Sequence, residues 1–138
     1  MIDIATVIAR VKTQTNYNVE AARFREPVLV EGTPIRVYIG YGTLRSEIAS
    51  TDLDFNAFNL HGEGMMQTID VQITCPVAQF YTVFKNVYKA LNGWNPIESE
   101  LTRTALAYEQ GGVMGLDNGN IWHLDRYRVG FSTISLDF

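Results

Sequence analysis

The sequence has little of what most catalytic and metal sites are made from. Its 138 residues include one cysteine and two histidines. The single cysteine, Cys75, excludes an intramolecular disulfide framework, and its place in the apolar phase of a strand pattern predicts a buried thiol. His61 and His123 lack a second ligand at a metal-binding spacing, so each is interpreted as a surface or hydrogen-bonded residue. We therefore expect no metal and no cofactor.

Positive charge and long apolar runs are also scarce. Eleven Lys and Arg residues face fifteen Asp and Glu residues, which gives a net charge of −4. Nucleic-acid binding needs clustered cations to neutralise phosphates, so we expect no sequence-specific nucleic-acid binding. The N-terminus MIDIATVIARVKTQT has an acid at position 3 and no continuous apolar stretch. It is therefore interpreted as neither a signal peptide nor a membrane span, and we expect synthesis in a cytoplasm and no membrane partner.

Motifs for nucleotide binding and nucleophilic catalysis are missing as well. Gly40 and Gly42 follow a strand pattern but lack the third glycine of a dinucleotide fingerprint. Residues 117–120 lack the ligand spacing of a calcium loop, and their composition predicts a turn. Asp52 and Asp54 form a carboxylate pair of the kind used in acid–base catalysis, although acidic loops are usually only solvated. The sequence thus favours a non-enzymatic protein, with a small enzyme or ligand-binding domain as the alternative.

What is present is the pattern of one α+β domain. The length and the 46% hydrophobic content suit a single domain, residues 1–138, with a sizeable core. Apolar residues at helical spacing predict a first helix over residues 2–13 and a second between Pro76 and Gly93. The predicted buried positions are Ile4, Val7, Ile8 and Val11 in the first helix, and Val77, Phe80, Tyr81, Phe84, Val87, Tyr88 and Leu91 in the second.

Alternating segments predict strands at residues 28–30, 35–41, 67–75, 103–110 and 121–136. The order is helix, β-hairpin, long loop, strand, helix, long β-hairpin. Sequential pairing gives a two-layer sandwich, in which both helices pack on one face of an antiparallel sheet of four to five strands. The other face of the sheet must then be polar or covered by a neighbour.

Residues 42–66 show no sustained periodicity and carry an excess of acid. A connection this long inside one domain is usually functional or mobile, so we predict a mobile loop that acts in an interface. The candidate interface residues are Arg45, Glu47, Asp52, Asp54, Phe55 and Phe58.

Several segments, in their order, resemble a known family. After the amphipathic N-terminal helix come PIRVYIGYG, the acidic irregular stretch, TIDVQITCPV, the long helix, ALAYEQ, a Gly/Asp/Asn turn and IWHLDRYRVGF. Together they resemble the tail terminator, or tail completion, proteins of long-tailed phages, Mu-like or lambda-like. The last thirty or so residues carry most of the resemblance, with Trp122 after the turn and Leu124, Tyr127, Val129 and Phe131 continuing into the final strand.

This resemblance implies a structural virion subunit. Proteins of that family form a six-fold ring at the head-proximal end of the tail tube, stop tube growth and offer the surface for head joining. The implied partners are further copies of the chain, the tail tube protein and a head–tail connector or neck protein. The implied location is the virion tail, after assembly in the host cytoplasm. Another neck, connector or baseplate subunit of similar outline remains the nearest alternative.

Overall fold

Two helices and five strands form the part of the chain that the structure, a computed structural model, describes: residues 2–22, 34–46, 64–96 and 105–132. In chain order they are α1 (Ile4–Thr15), β1 (Asn18–Ala21), β2 (Arg36–Ser46), β3 (Gly64–Pro76), a short 3-10 helix (Val77–Gln79), α2 (Phe80–Leu91), β4 (Ala107–Asp117) and β5 (Asn120–Ser132). The predicted strand at residues 28–30 lies outside the described residues.

The strands form one open sheet in the order β1-β2-β3-β5-β4. Both helices and the strand residues that face them share a single hydrophobic core, which confirms the predicted α+β class. The sheet is mixed rather than antiparallel, because β1 pairs with β2 in parallel while the other pairings are antiparallel. β1 has four residues, of which Val19 alone is buried, so it lacks the alternation that would have predicted it.

Helix α1 begins and ends at polar caps. The Asp3 carboxylate accepts a hydrogen bond from the backbone N–H of Ala5, as expected of an N-cap residue. At the other end Asn16 adopts a left-handed conformation with φ 62°. Val7 and Val11 are fully buried, and the two predicted isoleucines of the stripe pack partly buried against the core. The predicted apolar stripe of this helix is therefore confirmed.

Helix α2 is rotated from its predicted orientation. Its buried residues are Val83, Val87, Ala90 and Leu91. Phe80 and Phe84 are only partly buried, and Val77, Tyr81 and Tyr88 are exposed, with Tyr81 at 72%. The prediction was confirmed for Val87 and Leu91. It was wrong for Val77, Tyr81 and Tyr88, because two neighbouring stripes of this helix are both apolar. The smaller side chains of the inner stripe let the helix approach the core closely, which leaves the aromatic residues at its margin.

Strand β3 lies at the centre of the sheet and is paired with β5 along its whole length, from Gly64↔Ser132 to Pro76↔Asn120. Ile69, Val71, Ile73 and Cys75 are all fully buried, which confirms the predicted alternation and the buried thiol. Burial raises the pKa of the Cys75 thiol to about 11, because the thiolate loses its hydration there.

Strands β4 and β5 form the predicted long hairpin, with a two-residue turn. Asn118 and Gly119 have φ of 49° and 80°, the positive values that a type I′ turn requires. The predicted end of β4 at Gln110 was wrong, since the strand continues to Asp117. Two register shifts, between Tyr108 and Gln110 and between Val113 and Gly115, interrupt the alternation from which a strand is recognised.

The predicted loop is shorter than residues 42–66. β2 continues to Ser46 and β3 begins at Gly64, and Ser46 pairs with Met65. The sequence pattern did not predict this extension, because a register shift between Tyr41 and Leu44 interrupts the alternation. The backbone N–H of Thr43 donates to the Thr68 hydroxyl at 2.6 Å, which fixes the irregular segment on β3. Residues 47–63 lie outside the described residues, so the mobility of the loop stays a prediction.

Candidate functional site

Arg45 is the one predicted interface residue that lies in the described part of the chain. Arg45 lies in β2, where its backbone pairs with that of Met66. Glu47, Asp52, Asp54, Phe55 and Phe58 lie outside the described residues, as does His61. The described residues instead present two open edges of the sheet, a charged outer face and one buried polar cluster.

The first open edge is β4. It is the terminal strand on its side of the sheet, and no described strand pairs with its outer side. Its second half carries exposed apolar side chains, with Leu116 68% exposed. Val77 is also exposed and lies beside the hairpin turn, because its N–H donates to the Gly119 carbonyl at 2.8 Å. We call these residues the hairpin patch: Val77, Val113, Met114 and Leu116.

The opposite edge is open beyond the short strand β1. β1 pairs with β2 as far as Ala21↔Ile39, and the N–H of Ala22 then donates to the Ile39 carbonyl. From Gly40 to Ser46 no described strand pairs with the outer side of β2. Exposed edges of this kind are templates for pairing with another chain.

A cleft of about 510 Å³ lies beside this edge, and we call it the edge cleft. Most of its lining is apolar, from Ile4, Ala21, Ala22, Ile39 and Tyr41, while Asp70 and Gln72 add polar groups. Tyr41 is half exposed, and its hydroxyl donates to the Ile2 carbonyl at 2.9 Å. That bond fixes one wall of the cleft to the start of the chain.

The face of the sheet away from the helices carries paired charges. The Arg126 side chain contacts the Asp70 carboxylate at 3.0 Å across β5 and β3. The hydrogen bond and charge of Asp70 raise the pKa of Arg126. Arg36 similarly contacts the Glu20 carboxylate at 2.8 Å. Such partly exposed pairs contribute little stability but set a charge pattern that a neighbouring surface would have to match.

A polar cluster is buried on the helix side of β5. Asp125 is fully buried, and its Oδ1 lies 2.8 Å from His123 Nε2 and accepts a hydrogen bond from the Tyr108 hydroxyl at 3.1 Å. The Phe80 ring packs on the imidazole with a centroid separation of 4.6 Å. These contacts tie β4, β5 and α2 together.

Burial sets the electrostatics of this cluster. It raises the pKa of the Asp125 carboxyl, while the charge and hydrogen bond of His123 and the hydrogen bond of Tyr108 act in the opposite direction. Burial and the nearby Asp125 charge raise the pKa of Tyr108 to about 12. The pKa of Tyr127 is raised by the same causes. With the carboxylate closed to solvent, the arrangement supports the packing of the hairpin.

The sequence analysis identified one residue of this cluster. It interpreted His123 as a surface or hydrogen-bonded residue, and His123 is hydrogen-bonded to Asp125. Asp125 was not singled out, although its position was informative. It lies between His123 and Tyr127 in the same alternating phase as Ile121 and Val129, and an acid in a buried phase needs partners.

In the described ranges, no three His, Cys, Asp or Glu side chains come together to hold a metal ion. Within the same ranges, neither helix is long and apolar enough to cross a membrane.

Comparison with known proteins gives a match of fold. No protein-family model matches the chain, and no curated protein matches it. Among solved structures, the chain is similar to one from the virion of a native gene transfer agent particle, with a TM-score of 0.56 and 16% sequence identity. The match covers 95% of this chain and 95% of the other. At that identity the similarity shows a shared fold over nearly the whole of both chains.

Proposed function

We propose that this protein is a structural subunit of a phage or phage-like virion, and that it forms a ring on the head-proximal end of the tail tube. The ring ends tube growth and provides the surface to which the head is joined. Its partners are further copies of the chain, the tail tube protein and a head–tail connector or neck protein. The proposed location is the tail of the virion.

The observation that carries this proposal is the fold match to a chain of a gene transfer agent virion over 95% of both chains. Since the match spans almost all of each chain, the two folds are alike as complete domains. The fold match is to a virion component and supports that part of the proposal. The six-fold ring is inferred separately, from the resemblance of the sequence to tail terminators.

The geometry of the sheet supports assembly into a ring. Its two open edges differ, because one presents β4 with the hairpin patch and the other presents β2 with the edge cleft. Unlike surfaces at opposite ends of a subunit favour head-to-tail contacts, which form a ring when the rotation between subunits closes. Two-fold dimers instead need one self-complementary surface.

The test is to inactivate the gene in the phage or particle that encodes it. We expect unjoined heads and tails of abnormal length by electron microscopy, because tube growth would lack its stop. Cryo-electron microscopy of normal particles should show a six-fold ring of this subunit at the head-proximal end of the tail. Normal particles from the inactivated gene would overturn the proposal.

A neck, connector or baseplate subunit is the second candidate, because the same fold match supports any virion component. Position separates the two. Density for this chain at the distal end of the tail, or on the head side of the joint, would favour the second candidate. Unjoined heads beside tails of normal length in the mutant would do the same.

A further inference from the structure

We propose that the hairpin patch of one subunit occupies the edge cleft of the next copy of this chain. This inference rests on the proposed ring and assigns the two surfaces that build it. It concerns Val77, Val113, Met114 and Leu116 on one side, and the cleft walls formed by α1, β1 and β2 on the other.

The two surfaces are alike in polarity, and one projects from the sheet while the other is concave. The hairpin patch projects apolar side chains into solvent from the terminal strand β4 and from Val77 beside the hairpin turn. The edge cleft is a concave space of about 510 Å³ with mainly apolar walls, which is enough for several aliphatic side chains. Moving these side chains from water into an apolar cleft is favourable because it removes apolar surface from solvent.

Backbone hydrogen bonding adds to this match. The outer side of β4 and the Gly40–Ser46 part of β2 are both unpaired among the described strands. A β4 strand that reaches the edge cleft lies beside that part of β2. Each edge then gives the other the donors and acceptors it lacks.

The positions of the two surfaces favour a second copy arranged head to tail. They lie towards opposite ends of a five-stranded sheet, where three strand spacings, or roughly 14 Å, separate β4 from β2. Because the two ends face in opposite directions, one pair of copies cannot make both contacts at once. Each added copy therefore leaves one hairpin patch and one edge cleft open until the ring closes.

Disulfide trapping tests this contact in purified protein and in particles. Leu116→Cys places a thiol in the hairpin patch, and Ala21→Cys places one at the exposed wall of the edge cleft. The native Cys75 is fully buried and gives a low background. On mild oxidation we expect the double variant to give a ladder of covalent multimers in non-reducing gels, and neither single variant to give one.

The outcomes separate this inference from the proposed function. Six-fold rings on tails without the ladder would overturn the docking and leave the ring standing. A covalent dimer from Leu116→Cys alone would show patch-to-patch packing and overturn it as well. A ladder from purified protein that is absent from tails would support the docking and overturn the tail function.

A second test introduces a charge into the hairpin patch and measures assembly. Leu116→Asp should lower the fraction of assembled protein at least tenfold without a change in circular dichroism. Tyr81→Asp is the matched control, because Tyr81 is equally exposed but lies on α2 outside the patch. Equal assembly of the two variants would overturn the docking.

Discussion

Gly111 on β4 lies directly opposite Asp125 on β5, and a Cβ at Gly111 would collide with Asp125 Oδ1 and crowd the Tyr108 hydroxyl. The missing side chain is therefore what allows the buried carboxylate to contact both Tyr108 and His123. Because Gly111 has no side chain, it leaves space in which the Asp125, Tyr108 and His123 side chains meet.

Gly111→Ala should destabilise the protein by about 2 kcal/mol, the usual cost of forcing an extra carbon into a packed interior. Breaking the Tyr108–Asp125 hydrogen bond contributes to this cost, since it leaves a buried acceptor with one partner fewer. The free energy of unfolding from urea titration measures the effect.

The neighbouring residue supplies the control. A Cβ at Gly112 meets nothing within 4 Å, and alanine in a strand is no worse than glycine. Gly112→Ala should therefore leave the free energy of unfolding within about 0.5 kcal/mol of wild type. Equal losses in both variants would show that the space around Asp125 is not what constrains Gly111.

The raised pKa of Asp125 predicts how the free energy of unfolding depends on pH. Burial raises the pKa of Asp125 in the folded protein, so the folded state binds this proton more tightly than the unfolded state does. Its stabilising contribution is complete below the unfolded pKa and is lost as pH rises through the folded pKa. Asp125→Asn carries no such proton. Its stability relative to wild type should therefore improve as pH rises from about 4.

The measurement is the free energy of unfolding of both proteins across that pH range. Asp70→Asn is the control, because Asp70 is partly exposed on the outer face and pairs with Arg126. A difference between Asp125→Asn and wild type that stays constant with pH would contradict the raised pKa.

The rotated helix α2 gives a pair of stability predictions. Val87 is fully buried, and Val87→Asp should cost several kcal/mol and leave little folded protein, because a charge without a partner would enter the core. Tyr81→Asp, on the exposed side of the same helix, should change the free energy of unfolding by less than about 0.5 kcal/mol. Phe84→Asp should fall between the two, since Phe84 is half-buried and its ring contacts Tyr108 edge-on. Melting temperatures that rank these variants differently would show that another stripe faces the core.

Local signals predicted much of the fold. The alternation of apolar and polar residues from Ile69 to Cys75 predicted the central strand. The structure confirms it, since each apolar residue of this segment is buried. Asn118–Gly119 predicted the hairpin turn, because these residue types tolerate positive φ. The sequence could not show the parallel strand at Val19, since one buried residue has no period. The register shifts at Gly42 and Thr43 in β2 and at Met114 in β4 also broke the alternation beyond them.

The candidate site was harder to predict, because open edges depend on strand order. That β4 and β1 are the terminal strands follows from pairings between residues far apart in sequence, such as Ile69 with Tyr127. Asp125 could have been found locally, from its place in a buried phase. The exposure of Leu116 could not, because its apolar character alone predicts burial.

The last prediction concerns residues 47–63, which join β2 to β3. Because Ser46 pairs directly with Met65, the two strand ends already lie side by side. A link of about four Gly and Ser residues can therefore replace residues 47–63 without disturbing the sheet. We expect this variant to fold with a free energy of unfolding close to that of wild type.

In the phage we expect it to leave heads and tails unjoined, because the acidic segment is proposed to dock onto the tube or a neighbouring subunit. A control link of seventeen Gly and Ser residues keeps the length and removes the side chains, so it should fail in the same way. Normal infectious particles from either variant would contradict the docking role of this segment, and the capping contacts would then have to come from the sheet edges and the outer face.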